Sequence, residues 1–189
     1  MAVYRTPLPS FPAMPPALHQ LPAYAAGSRR LHVVIETPKG SRNKLAFDPE
    51  LGAFLLKGVL PEGSSFPYDF GFVPSTLADD GDPLDVLLLM DAPTYPGTVV
   101  EARVIGVLEA EQPENGHPQR NDRLLAVAAE SREHRHLHDI GDLPPQLLRE
   151  IEHFFDSYNQ AKGQPFRVVR RSGKKRAEEL VHKAQAAVS

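Results

Sequence analysis

The sequence predicts a mainly β domain of the α+β type: a small antiparallel barrel with two helices packed outside it. Three observations carry that reading. Short runs rich in β-branched and aliphatic residues recur between Leu31 and Ala129, divided by Gly, Pro, Asn and Asp turns. Two amphipathic helical patterns appear only after those runs, over residues 147–158 and 177–188. The chain has 189 residues and no internal repeat, enough for one domain with a sizeable core.

In chain order, residues 1–28 are a Pro/Ala-rich extension containing Thr6-Pro7-Leu8-Pro9-Ser10-Phe11-Pro12 and Pro15-Pro16, unsuited to regular ladders. The barrel domain is expected over residues 29–189. Leu31 to Glu36 is the first expected strand and stops at Thr37-Pro38. A basic loop, residues 38–43, leads into Lys44 to Asp48. Pro49-Glu50-Leu51-Gly52 then turns the chain into Ala53 to Leu60, a hairpin by its turn chemistry. Phe66 to Pro74 is aromatic and broken by proline, and is expected as a structured loop. Asp85 to Met90, Val99 to Leu108 and Leu124 to Ala129 are expected strands, with residues 113–121 a polar loop. Leu147, Leu148, Ile151, Phe154, Phe155 and Tyr158 recur at helical spacing. Asp142 is the expected N-cap ahead of Pro144-Pro145, and Gly163 the expected stop. Leu180, Val181, Ala184 and Val188 share one side of a second helix over residues 177–188.

The stretch Asp79-Asp80-Gly81-Asp82-Pro83-Leu84-Asp85 carries the chemistry. Four carboxylates fall within seven residues, at the mouth of a strand whose other end is apolar. Clustered carboxylates repel one another and resist desolvation, and a hard divalent cation with oxygen ligands offsets that cost. The spacing fails the calcium-loop pattern, which leaves Mg2+ or Mn2+. An acidic turn alone is commonly solvated surface, but this one has a third acid at fixed distance and a core strand attached. Glu36 at a strand end, Lys44 behind the basic loop and Asp122 ahead of a strand complete a set suited to phosphoryl chemistry.

Composition narrows the classes. The net charge of −3 argues against a general nucleic-acid binder. There is no cysteine, hence no disulfide, thiolate metal site or thiol nucleophile. No apolar run approaches a membrane span, and the start has neither a basic segment nor an apolar signal core, so a cytoplasmic location is expected. His134, His136 and His138 alternate, a weak metal signal more in keeping with surface or subunit-contact residues.

Asp80-Gly81-Asp82-Pro83-Leu84-Asp85-Val86 resembles the signature of the soluble family I inorganic pyrophosphatases. Val33-Val34-Ile35-Glu36, Lys39-Gly40-Ser41-Arg42-Asn43-Lys44, Phe70-Gly71-Phe72-Val73-Pro74, Asn121-Asp122 and His153-Phe154-Phe155-Asp156-Ser157-Tyr158 resemble that family in the same order. The likeness runs from about Leu31 to about Gly163. It implies a closed, OB-like five-stranded barrel with flanking helices, and Mg2+-dependent hydrolysis of inorganic diphosphate to two orthophosphates. By motif it implies Asp80, Asp85 and Asp122 as metal ligands and Glu36 as an outer metal-site residue. It also implies Asp82 as proton acceptor, and Lys44 and Tyr158 as phosphate contacts. Taken singly, Glu36 could be a surface acid, Asp122 a turn acid and Tyr158 a packing residue. Bacterial members are commonly hexamers, so a homo-oligomer is expected, with diphosphate as substrate and no nucleic-acid or membrane partner.

The departures thin the phosphate-gripping half. Ala46 stands where a glutamate is usual, and Phe70 where a tyrosine supplies a hydroxyl. Gly58, Leu124 and Asn159 stand where an arginine and two lysines are expected. The loop before Asp122 is longer than usual and lacks an aspartate near its start, with Glu111 and Glu114 the nearest acids. Lys57 and Arg123 adjoin two of the lost cations, but strand neighbours point to opposite faces unless a one-residue bulge re-aims them. Three readings therefore stand: a working pyrophosphatase, a non-catalytic paralogue that binds metal or phosphate, and a hydrolase of another phosphoanhydride.

Overall fold

The computed structural model describes residues 17–114 and 117–188. The first strands are β1 (Leu31–Thr37), β2 (Asn43–Asp48), β3 (Ala53–Val59), β4 (Asp69–Phe72) and β5 (Asp85–Leu89). Then come β6 (Val99–Glu114), β7 (His117–Arg120), β8 (Arg123–Ala128), helix α1 (Pro145–Gln160), β9 (Arg167–Gly173) and helix α2 (Lys174–Ala186). β1 pairs with β4, β4 with β5, β5 with β8, β8 with β6, and β6 returns to β1. This ladder closes a ring of five strands, in keeping with the barrel-like architecture anticipated above, so each ring strand has a neighbour on both sides while β7 and β9 remain edges on β6. Within the ring only β5–β8 is parallel, so both strands begin at the same rim, with Asp85 opposite Arg123.

Alternation along the strands divides the apolar residues between two cores. Val86 and Leu88 of β5, with Leu124 and Ala126 of β8, join the core reached by Ala177, Leu180 and Val181 of α2. Leu87 and Leu89, with Leu125 and Val127, join the core reached by Leu148, Ile151 and Phe155 of α1. Burial on both faces is why β5 and β8 read as unbroken apolar runs. Each buried leucine contributes about 1.5–3 kcal/mol, so both faces favour this register. β4 approaches β1 so closely that a Cβ at Gly71 would lie 1.9 Å from the Val34 carbonyl oxygen, which leaves glycine as the residue that fits.

β2 and β3 form a separate two-stranded sheet. It is tied to β1 by side chains. The Thr37 hydroxyl donates to the Leu45 carbonyl and accepts from the Leu45 N–H, both at 3.0 Å. A Glu36 carboxylate oxygen accepts from the Phe47 N–H at 2.7 Å. Between Lys44↔Gly58 and Leu45↔Leu56 the register slips by one, leaving Lys57 as the extra residue of a bulge. Ahead of β1, Ala23 and Ala25 are buried, and the Ala23 carbonyl accepts from the His32 N–H at 2.8 Å.

Four elements differ from the sequence reading. Residues 69–72, expected in a loop, are strand β4, buried throughout; Pro67 and Pro74 flank the strand without interrupting its ladder. Residues 113–121, expected as a loop, continue β6 and form β7. Pro113 and Pro118 are tolerated because the hairpin stands at a sheet edge. β9, a charged and largely exposed strand, was not anticipated; β6 supplies its ladder. Asp142 does not cap α1, whose N-cap is Pro144. Two consecutive prolines offer no N–H to cap, and the Asp142 carboxylate accepts instead from the His138 and Asp139 N–H groups at 2.7 and 2.9 Å.

Candidate active site

The site is assembled at the rim where β5 and β8 begin. A cavity of about 710 Å³ there is lined by Glu36, Lys44, Ala46, Lys57, Asp82 and Asp85 among others. β1 delivers Glu36, β2 delivers Lys44, and the turn before β5 delivers Asp80 and Asp82. Gly81, at φ +87°, lets that turn close, with its N–H donating to the Ala78 carbonyl at 3.1 Å.

Glu36 and Lys44 form an ion pair at 3.5 Å, with side chains only 9% and 15% exposed. Burial pushes the Glu36 carboxyl up and the Lys44 ammonium down, and each charge pulls the other partway back. The Lys44 Nζ also lies 4.0 Å from the Phe70 ring centroid, so the residue standing where a tyrosine is usual offers a π face. Burial raises the Asp80 carboxyl; the Asp85 and Asp82 carboxylates add to this, while the Asp82 N–H, at 3.2 Å from Asp80 Oδ1, opposes it. Charges that repel in this way are what a divalent cation with oxygen ligands relieves, so these carboxylates fit such an ion.

Asp85 is held by Arg123, whose Nη1 lies 2.7 Å from Asp85 Oδ2. Tyr158 projects from the last turns of α1, stacked on Phe154, with its hydroxyl accepting from the Lys162 ammonium. Burial, reinforced by the Asp85 carboxylate and opposed by Arg123, pushes the Tyr158 hydroxyl up to about 12. It is therefore a donor at neutral pH.

Glu36, Lys44, Asp82 and Asp85 line one cavity, and Asp80 and Tyr158 act electrostatically on members of that group. Asp122 stands apart. It accepts from the Ala110 N–H at 2.9 Å, pairs with Arg120 at 2.8 Å and lines a separate hollow with Asp79 and Lys183. Among the described residues a different acidic group, Asp91, Glu133 and His134, has ligand atoms all within 4.8 Å of one another. Asp91 there accepts from the Ser131 hydroxyl and the Arg132 and Glu133 N–H groups, the work of a turn cap. Sequence reasoning missed Arg120 and Lys162, and weighed Arg123 only as a neighbour of Leu124 without pairing it to Asp85. Strand parity marks Arg123, which is in phase with Leu125 and Val127; helical spacing marks Lys162, four residues past Tyr158.

The inorganic pyrophosphatase family model matches residues 33–189. The inorganic pyrophosphatase of Thermus thermophilus is 40% identical over 172 residues, 91% of this chain and 96% of the relative. The chain belongs to the inorganic pyrophosphatase family. The inorganic pyrophosphatase of Synechocystis sp. is 45% identical over 128 residues, 68% of this chain and 73% of the relative. The Thermus pyrophosphatase crystal structure superposes with a TM-score of 0.84 at 41% identity, covering 92% of this chain and 99% of that one. That of Neisseria gonorrhoeae superposes at 0.79 and 31% identity, covering 90% and 98%. No helix among the described residues is long and apolar enough to cross a membrane.

Proposed function

We propose that the chain hydrolyses inorganic diphosphate to two orthophosphates with Mg2+ as its metal, Mn2+ being the alternative. The observation that carries the reading is the single cavity joining Asp82 and Asp85 to the buried Glu36–Lys44 pair in a member of this family. Asp80 and Asp85 are the metal ligands in this reading, with Glu36 outside them and Asp122 joining on release from Arg120. The metal, when bound, neutralises phosphate charge and makes a nearby water more acidic. An Asp82 carboxylate oxygen accepts the proton as the water oxygen attacks one phosphorus. The bridging P–O bond breaks, and the leaving orthophosphate takes its electron pair. Lys44 holds the anion, and the protonated Tyr158 hydroxyl donates to a phosphate oxygen.

The test is phosphate release from diphosphate with Mg2+, then from nucleoside triphosphate and polyphosphate. Release from diphosphate above the others supports the reading. The non-catalytic alternative is favoured by Arg120 occupying the Asp122 carboxylate, and absence of release from all three substrates would select it. The family resemblance also supports a homo-oligomer, a hexamer; a monomeric mass in sedimentation would remove that part.

A further inference from the structure

Ahead of β1 the chain doubles back and packs along α2. A Tyr24–Leu31 bridge closes this turn, with the Ala25 N–H on the Arg30 carbonyl at 2.9 Å and the Arg30 N–H on the Ser28 hydroxyl at 3.0 Å. Tyr24 stacks on His182 of α2, ring centroids 6.0 Å apart. Burial raises the Tyr24 hydroxyl, and the Glu178 carboxylate raises it further. Lys174, Glu178 and His182 follow one another at four-residue spacing, on one face of α2. Between that face and the turn lies a cavity of about 470 Å³, lined by Tyr24, Ser28, Arg29, Glu178 and His182. A second, of about 220 Å³, shares Ser28, Arg29 and Glu178 with it and adds Arg30, Arg103, Val104 and Lys174. The two make one cleft with an aromatic end and a cationic end.

The cleft is remote from the acid rim. Arg103 stands opposite Val127 in the β6–β8 ladder, and Arg123 at the rim lies four residues back along β8, about 13 Å of strand. None of the residues lining the 710 Å³ cavity lines the cleft.

Charge at the cationic end is not compensated. Four cations line it against one acid, Glu178. Glu178 reaches Lys174 only at 3.8 Å, and Glu101 pairs with Arg30 at 3.2 Å. Arg29 and Arg103 have no carboxylate within ion-pair distance among the described residues. The Arg103 Nη2 donates instead to the Arg135 and Leu137 carbonyls, at 3.2 and 2.7 Å, and its Nε is buried without a partner among the described residues. Those carbonyls fix a permanent positive charge in the wall, so little ordering is left for an arriving anion to impose. Guanidinium and ammonium groups without carboxylates suit a phosphate. Tyr24 and His182 suit a planar ring, which stacks on aromatic side chains. Glu178, shared by both ends, accepts from hydroxyl groups.

We propose that the cleft between the Tyr24–Leu31 turn and α2 binds a nucleoside monophosphate, its phosphate on Arg29, Arg103 and Lys174, its ribose hydroxyls on Glu178 and its base against Tyr24 and His182. The cleft binds in this way whatever the acid rim hydrolyses, so it is tested on the full chain without divalent metal. Calorimetry with AMP, adenosine and inorganic phosphate is the measurement. AMP is expected to bind at least tenfold more tightly than either of the other two. Arg29→Gln and Lys174→Gln, at solvent-facing positions, are each expected to raise Kd for AMP about tenfold. His182→Ala is expected to raise Kd for AMP while leaving that for phosphate within twofold. Lys44→Met, at the acid rim, is expected to leave AMP binding as it is.

Absence of AMP binding by wild type at millimolar concentration overturns the proposal. So does AMP binding that Lys44→Met abolishes while Arg29→Gln and Lys174→Gln leave it within twofold, since the nucleotide then sits at the acid rim. Adenosine binding as tightly as AMP overturns the phosphate assignment. Phosphate binding as tightly as AMP, with His182→Ala unaltered for both, overturns the nucleoside assignment.

Discussion

Asp85 and Arg123 stand opposite each other at the first positions of two parallel strands, carboxylate to guanidinium at 2.7 Å. The pair sets the acid where β5 emerges from the core. If that acid holds a cation, Mg2+ at a hundred times its Kd stabilises the fold by about 2.7 kcal/mol, a rise of roughly 5–10 °C in Tm. Asp85→Asn is expected to lower Tm by unpairing Arg123 and to abolish most of the Mg2+-induced rise. Thermal melts with and without Mg2+ give both quantities; an unchanged rise in the variant removes Asp85 from the ligands.

Asp82 is assigned the proton. Asp82→Asn is expected to lower kcat by roughly 100-fold or more while leaving the Mg2+-induced rise in Tm within a degree or so of wild type. Loss of that rise together with kcat would make Asp82 a ligand instead.

Gly58 lies opposite Lys44 in the β2–β3 register, has an ordinary φ, and a Cβ there meets nothing within 4 Å. Gly58→Arg is expected to fold normally and to raise kcat/KM for diphosphate about tenfold, equal to about 1.4 kcal/mol. Leu124→Lys is expected to do the opposite. Its ammonium would enter the α2-side core among Val86, Val107 and Ala126, and the soluble yield or Tm would collapse. A folded, more active Leu124→Lys would contradict the strand parity described above.

Glu109 joins β6 to β9 and α2. It accepts from the Ser172 hydroxyl at 2.6 Å and pairs with Arg120 at 3.0 Å and Arg176 at 3.5 Å. Burial alone would raise its carboxyl, but Ser172, Arg176 and Arg120 hold it below the ordinary value of 4.5. A depressed carboxylate contributes stability that is present above its unfolded value and lost as pH falls through the lower, folded one. Glu109→Gln is expected to cost about 1.5–3 kcal/mol at pH 7. In urea melts against pH, its gap from wild type should narrow as the pH drops below that of an ordinary glutamate; a gap constant to pH 3 would deny the linkage.

The acids were legible because their spacing is local: residues 80–85 carry the turn, the cluster and the strand in one run. Glu36 and Lys44 were legible as candidates from charge and place in the chain, but not as a pair, since eight residues of sequence do not reveal that the hairpin folds back onto β1. Arg123 was set aside because strand parity points it away from the face of Leu124, where the family has its lysine; parallel pairing with β5 is what puts it against Asp85. Strand β4 was hidden by its flanking prolines, and β9 by its charge, because the ladder that holds each comes from elsewhere in the chain. Lys57 was noticed only as a neighbour of Gly58, and the bulge that re-aims it depends on a slip in pairing that composition does not encode.

The β2–β3 hairpin shares no ladder with the closed ring; side chains fasten it, through the hydrogen bonds of Thr37 and Glu36, Phe47 stacked on Phe72 and Lys44 over Phe70. In the proposed reading, the chain thus separates a wall that would meet the anion from the rim that carries the acids. Residues 38–60 can lengthen, shorten or exchange charges over generations without opening a single ring ladder. A descendant could come to accept longer phosphoanhydride chains through that wall while its acids stayed in place, so appetite for substrate and hydrolytic power need not evolve together.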